Sequence, residues 1–255
     1  MSLARALFAG PGACRALVDG ARGRVEVVLS AGGAYVRLGL SDWVLLSGPG
    51  APFGPLSVAL DGLDRLELRP GMPAEVARGR LLVGGLALSL ERMRERVCSV
   101  AVGVRSDVAC VSLPPPPAPL GAGVSALADG RGARGVRLLA GLGEGLTPAG
   151  DDVLAGYAGG RLAFGAPVAL SRVAAGRSSP LGLAYLRCAE RGEVPDVAAG
   201  LLAAMCRGCV EEAASVVPLL RSWGSSSGMA LGWGINAAVA SITRHSTRPL
   251  ATVPS

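Results

Sequence analysis

The chain contains no lysine and few aromatic residues. All 25 of its basic residues are arginine, aromatics make up 4% of the composition, and the single histidine, His245, lies near the C-terminus. Because aromatics are scarce, Leu, Val and Ala must fill the core. The arginines are scattered despite the net charge of +6, which argues against nucleic-acid binding. Arginine instead suits small anionic ligands, because its planar fork matches carboxylate and phosphate.

The sequence also lacks the apolar segments that direct a chain into or across a membrane. Its start, MSLARALFAGPGACRAL, carries an arginine within a short apolar stretch and does not resemble a signal peptide. The longest uncharged stretch, 222–243, contains three serines in a row, an asparagine and four glycines, and is too polar to span lipid. We therefore expect a cytoplasmic protein with reduced cysteines and with neither a nucleic-acid nor a membrane partner.

The composition predicts an α+β fold, with a strand-rich N-terminal half packed on a helical C-terminal half. Half of the residues are hydrophobic and 17% are charged, which is ample for a buried core. The run LPPPPAPL at 113–120 cannot continue a helix or a central strand. We predict a β-rich domain over 1–113, a proline-rich linker over 114–120, a helical domain over 121–243 and a loose tail over 244–255.

Local patterns predict the individual elements. Runs rich in β-branched and apolar residues predict strands at 25–29, 34–38, 43–46, 56–60, 63–68, 81–83 and 86–88, the first two joined at Gly32-Gly33. Short helices are predicted at 72–78, entered at Pro73, and at 91–96. In the second half, helical spacing and prolines at helix starts predict helices at 151–163, 167–175, 180–191, 195–207, 211–223 and 229–242.

The segment 138–156, LLAGLGEGLTPAGDDVLAG, has the composition of an anion-binding site. Its glycines, among them Gly143, Gly145 and Gly150, let a ligand approach the backbone. The helix that follows offers unpaired N–H groups and a partial positive charge at its start. Thr147 adds a hydroxyl, and Asp151 and Asp152 add two carboxylates.

The sequence leaves several roles open for the two aspartates. They are candidate ligands of Mg²⁺ bridging to phosphate, the one cofactor that the sequence suggests. They could instead accept hydrogen bonds from an amide or carbamoyl NH₂. Adjacent helical residues point about 100° apart, so one could face a site while the other caps a backbone turn. The remaining alternative is a structural turn with a capped helix that binds nothing.

The pattern GLGEGLTPAGDD followed by VLAG resembles the signature of the family typified by AllH, which is a subunit of oxamate carbamoyltransferase. RSSPLGLAYLRCAERGEVPDVAAGLLAA, which begins at Arg177, resembles the family's helix pair, and WGSSSGMALGWG resembles its second glycine–serine turn. The resemblance covers roughly residues 138–240. This chain departs from the family pattern at Ala230, where an acidic residue often follows the second turn, and at 177–179, where the family's entry is Thr-rich.

The resemblance implies carbamoyl transfer between oxalurate and phosphate, giving oxamate and carbamoyl phosphate, in purine and allantoin breakdown. Asp151, Asp152 and Thr147 would then be catalytic. Other protein subunits would be partners, together with a small anionic metabolite or phosphate. The anion would be bound by the glycine turn and by a further set of residues, namely Arg177 (or Arg137), Ser178, Ser226, Ser227 and Gly228.

A different class of function is that of a non-catalytic subunit, in which the same turn binds a metabolite or nucleotide for scaffolding or regulation.

Two other motifs give weaker support for a functional site. Cys206-Arg207-Gly208-Cys209 lacks a second ligand pair for zinc and fits small apolar residues near a helix end. A Ser-His-Asp triad at 225–227 would need His245 from the loose tail, which is a poor place for a general base.

Overall fold

The computed structural model describes residues 4–29, 33–100, 102–103, 108, 110–224 and 226–246, without the side chains of 244–246. The chain divides into two compact units, 1–98 and 99–255. The first is built from strands and the second from helices, which confirms the α+β class with a strand-rich and a helical half. The proline run lies within the second unit, and a helix begins at Ala118 inside the predicted linker. The predicted domain limits themselves stay predictions.

The first unit is a single closed sheet. Its strands are β1 (Ala4–Ala9), β2 (Arg22–Val28), β3 (Ala34–Leu38), β4 (Asp42–Ser47), β5 (Ser57–Asp61), β6 (Pro73–Ala77), β7 (Arg80–Val83), β8 (Leu86–Ser89) and β9 (Arg94–Glu95). They follow the order β5-β4-β3-β2-β6-β7-β8-β1-β9, and β1 also pairs with β5. This extra pairing closes eight strands into a ring and leaves β9 outside it. Alternate residues of β3, such as Val36, are buried, as expected when one face of a sheet covers a core.

Six of the seven predicted strands are confirmed, and β2 pairs antiparallel with β3 as the predicted hairpin requires. Gly32 lies outside the described residues. The predicted strand at 63–68 is wrong, because the left-handed Gly62 (φ 82°) leads into a 3-10 turn at Leu63–Arg65. The strand β1 and the short helix α1 (Pro11–Ala16) were not predicted.

The two short helices predicted in the first unit are also wrong. Pro73 begins a strand, β6, in which Ala74 and Val76 are buried in alternation. Arg78 (φ 52°) and Gly79 (φ 67°) then form the tight turn that pairs β6 with β7, a geometry typical of two-residue hairpins. The segment 91–96 has no apolar stripe, and its residues at 94–95 pair with β1 instead of closing a helix.

The second unit consists of helices. They are α2 (Ala118–Ala128), α3 (Gly132–Leu139), α4 (Ala149–Ala163), α5 (Ser171–Ala174), α6 (Pro180–Glu190), α7 (Asp196–Arg207), α8 (Val210–Ser222) and α9 (Ser227–Ser246). Five of the six predicted helices are confirmed, whereas α2 and α3 were not predicted. The predicted helix at 167–175 is reduced to α5, because Glu190 accepts hydrogen bonds from the amide and the hydroxyl of Ser171 (2.6 and 2.7 Å) and caps the helix there. No helix among the described residues is long and apolar enough to cross a bilayer.

Helices α4 and α9 pack closely through glycines. A Cβ on Gly156 would lie 2.1 Å from the carbonyl oxygen of Leu231, and a Cβ on Gly160 would meet Ala238. Larger side chains would force the helices apart. The contacts advance together along both helices, so α4 and α9 run parallel and begin at the same end of the unit. The prediction of a buried, small-residue helix at 229–242 is confirmed, since Ala230 and Ile235 are buried.

Candidate functional site

Three helices, α4, α6 and α9, begin close together. The hydroxyl oxygen of Thr147, just before α4, lies 3.4 Å from that of Ser227 in the first turn of α9. The amide of Ser179, which caps α6, donates to Oδ2 of Asp151 in the first turn of α4 at 2.9 Å. The two glycine-containing turns therefore lie side by side. The partial positive charges of three helix amino ends meet there.

Asp151 stabilises this arrangement through hydrogen bonds. It is 1% exposed, and it accepts hydrogen bonds from the amide of Gly141 at Oδ1 (2.8 Å) and from the amide of Ser179 at Oδ2. Gly182 leaves room for it, because a Cβ there would lie 2.3 Å from Oδ2. Asp151 thus holds the glycine turn and the start of α6 against α4, and both of its oxygens are occupied by backbone donors.

Asp152 has a different environment. It is 6% exposed, and its Oδ2 is buried without a hydrogen-bond partner among the described residues. Burial raises the pKa of its carboxyl from 3.8 to about 7; hydrogen bonding from Ser227 and Thr147 opposes the shift and the charge of Asp151 adds to it. The carboxyl can therefore gain or lose a proton near neutral pH, as a general acid or base must. Neither aspartate belongs to a group of three or more His, Cys, Asp or Glu side chains that could hold a metal ion among the described residues.

The glycine turn presents backbone donors to solvent. Residues 143–146 are exposed, and Gly143 (φ 118°) and Gly145 (φ 92°) adopt backbone conformations that other residues rarely reach. None of the amides of residues 143–147 donates to an acceptor in the described part of the chain. Consecutive amides without an internal acceptor can bind an anion where the backbone curves around it. The anion site stays a prediction, and the amides of Gly143 and Gly145 are the donors it would use.

Residues 139–239 match the family model described as oxamate carbamoyltransferase subunit AllH. The match confirms the resemblance inferred from the two turns. It covers about two fifths of the chain and includes α4 to α8 and most of α9. Searches of curated proteins and of solved structures found no match.

Ser179, within the AllH-matching segment, was missed by sequence reasoning. Its hydroxyl accepts from the amide of Gly182 (2.9 Å) and donates to the carbonyl of Leu146 in the glycine turn (2.7 Å). One side chain therefore caps α6 and holds the turn. The available signal was the Ser-Pro pair at 179–180, since serine at the cap and proline at the first helical position are typical of helix starts.

The other predicted anion-binding residues divide into exposed and structural ones. Arg177 is exposed and donates to the carbonyl of Arg137 at 3.0 Å, and Ser226 is exposed before α9. Gly150 and Gly228 are buried, and their amides donate to the carbonyls of Leu142 (2.8 Å) and Trp223 (3.0 Å). These two glycines therefore shape the turns.

Two further predictions concern Ser178 and a metal ion. The Ser178 hydroxyl is buried without a partner among the described residues. In that same part of the chain, no three His, Cys, Asp or Glu side chains are grouped so that they could hold a metal. Ser225 and the side chain of His245 lie outside it.

The pKa of Asp152 predicts a pH-dependent stability. Because the native carboxyl binds its proton more tightly than the unfolded one, stability is lost as pH rises from about 4 to about 7. The shift from 3.8 to about 7 corresponds to at most about 4 kcal/mol. We expect Asp152→Asn to gain stability relative to the native chain across this interval, measured by urea unfolding at pH 4.5 and 7.5 with circular dichroism at 222 nm. An equal difference in stability at both pH values would contradict a buried, titrating Asp152.

Proposed function

We propose that the chain is a subunit of a carbamoyltransferase-type enzyme that acts on small anionic ureide-derived metabolites. The reaction is the transfer of the carbamoyl group from oxalurate to phosphate, which gives oxamate and carbamoyl phosphate. One observation carries the proposal: a buried, partner-free carboxyl oxygen lies where two glycine-containing turns meet, inside the segment that matches AllH.

The chemistry requires anion binding, charge stabilisation and one proton transfer. A phosphate oxygen attacks the carbamoyl carbon, and the bond from that carbon to the oxamate nitrogen then breaks. Hydrogen phosphate loses its proton in this process, and the leaving nitrogen gains one. The amides of residues 143–147 would bind an anionic group or the developing oxyanion.

Asp152 is the group best suited to carry the proton. Its pKa of about 7 lets it give a proton to the leaving nitrogen and regain one from phosphate at neutral pH. The hydroxyls of Thr147 and Ser227 lie between the two turns, where they can orient the carboxyl and the carbamoyl NH₂. Asp151 acts as a positioning residue in this scheme, because its oxygens already hold Gly141 and Ser179.

We further propose that other subunits complete the enzyme. The matching family is described as one subunit of its enzyme, and the donors of the glycine turn lie on an exposed surface that a partner can cover. The alternative, a non-catalytic binding subunit, would use the same turn to hold a metabolite and would not need the Asp152 proton.

The test is phosphate-dependent formation of carbamoyl phosphate from oxalurate, followed by ³¹P NMR, with the chain and its co-purified partner subunits. We expect product only when this chain is present. Equal activity of an assembly that lacks the chain would exclude a catalytic role for it. A scaffold role would instead appear as a rate that survives removal of the Asp152 carboxyl.

A further inference from the structure

The carboxyl of Asp152 interacts with Thr147, the last residue of the turn whose amides form the anion site of the proposed function. Thr147 joins the carboxyl to the turn, since it follows the exposed residues 143–146, and its hydroxyl interacts with Asp152 and lies 3.4 Å from that of Ser227. A negative charge on Asp152 would repel an anion held by the turn, and burial weakens the screening of that repulsion by water. The neutral carboxyl would not repel it.

We propose that binding of a small oxyanion to the amides of residues 143–147 is coupled to protonation of Asp152, so that the site takes up the anion together with a proton. This inference rests on the anion site of the proposed function and specifies the ligand class as an oxyanion plus one proton. The buried Oδ2 without a partner is the atom on which the proton can reside.

Among the charged groups around the site, Asp152 is the one whose protonation we expect to respond to a bound anion. Asp151 is held by two backbone amides. Within the described residues, α2 carries no charged residue, and α6 and α9 carry none in their first two turns. The other titratable or charged groups on the neighbouring elements include Glu144 in the turn, Arg134 and Arg137 on α3, Arg177 before α6, Tyr157 and Arg161 on α4, Tyr185, Arg187, Cys188 and Glu190 on α6, and Glu211, Glu212 and Arg221 on α8.

Sulfate is the appropriate probe, because it resembles phosphate but stays a dianion between pH 6 and 8.5. We would follow the amide signals of Gly143 and Gly145 by NMR during sulfate titrations at pH 6.0, 7.0 and 8.5. We expect the apparent Kd of the native chain to weaken about tenfold over this range, the equivalent of one pKa unit of coupling. Linkage is reciprocal, so saturating sulfate should raise the pKa of Asp152, measured from its carboxyl ¹³C shift, by about one unit.

The matched control is Asp152→Asn, which keeps the shape of the side chain but cannot titrate. Its Kd for sulfate should be the same at all three pH values. A native Kd that is independent of pH, with the Asp152 signal unmoved by sulfate, would overturn the coupling and leave the anion site of the proposed function standing. Sulfate and phosphate that shift no amide of the turn at any pH would overturn both. The carboxyl measurement uses only the native chain, so the result does not depend on the variant folding.

Discussion

Replacing Asp152 by Asn should lower the rate of carbamoyl transfer by the assembled enzyme by about 10²–10⁴-fold, the range for loss of a general acid–base group. Asparagine keeps the volume and can still meet the hydroxyls of Thr147 and Ser227, but it cannot give a proton to the leaving nitrogen. The loss should therefore appear in kcat, with KM for phosphate little changed at pH 6, where the native carboxyl is also mostly neutral. The rate is measured by ³¹P NMR at saturating oxalurate and phosphate.

The control for this variant is Asp196→Asn, which changes an aspartate in the first turn of another long helix, α7, away from the three converging helix starts. Its rate should equal that of the native chain. If the Asp152→Asn enzyme keeps its rate within about threefold while its circular dichroism spectrum matches that of the native chain, Asp152 carries no proton in the reaction. That outcome would favour the non-catalytic binding subunit.

The sequence predicts helices best where a local signal coincides with packing. The helices that begin near Pro180 and Pro195 are found within one residue of their predicted starts, because proline suits the first helical positions. The segment that begins at Pro73 shows the limit of this signal. The same residue type starts a strand there, since pairing with two neighbouring strands outweighs a weak local preference.

The candidate site was predictable in its components but not in its internal roles. The glycine turn and the serine turn could be recognised from composition, and the structure places Thr147 beside Ser227. The sequence could not distinguish the two aspartates, because adjacent helical residues differ only in direction. The distinction depends on Ser179, which is 28 positions away along the chain and occupies Oδ2 of Asp151. No local pattern encodes such a contact.

Asp151→Ala should destabilise the helical unit by about 3 kcal/mol, because it leaves two partly buried backbone amides, those of Gly141 and Ser179, without their acceptor. The loss is measured by urea unfolding at pH 7.5, with circular dichroism at 222 nm as the signal. Asp152→Asn is the matched comparison at the adjacent position, and it should raise stability at the same pH. A loss below about 1 kcal/mol would mean that the two hydrogen bonds contribute little. The opposite signs at neighbouring aspartates follow from their surroundings: one carboxylate is satisfied by backbone donors, and the other is buried with an oxygen left free.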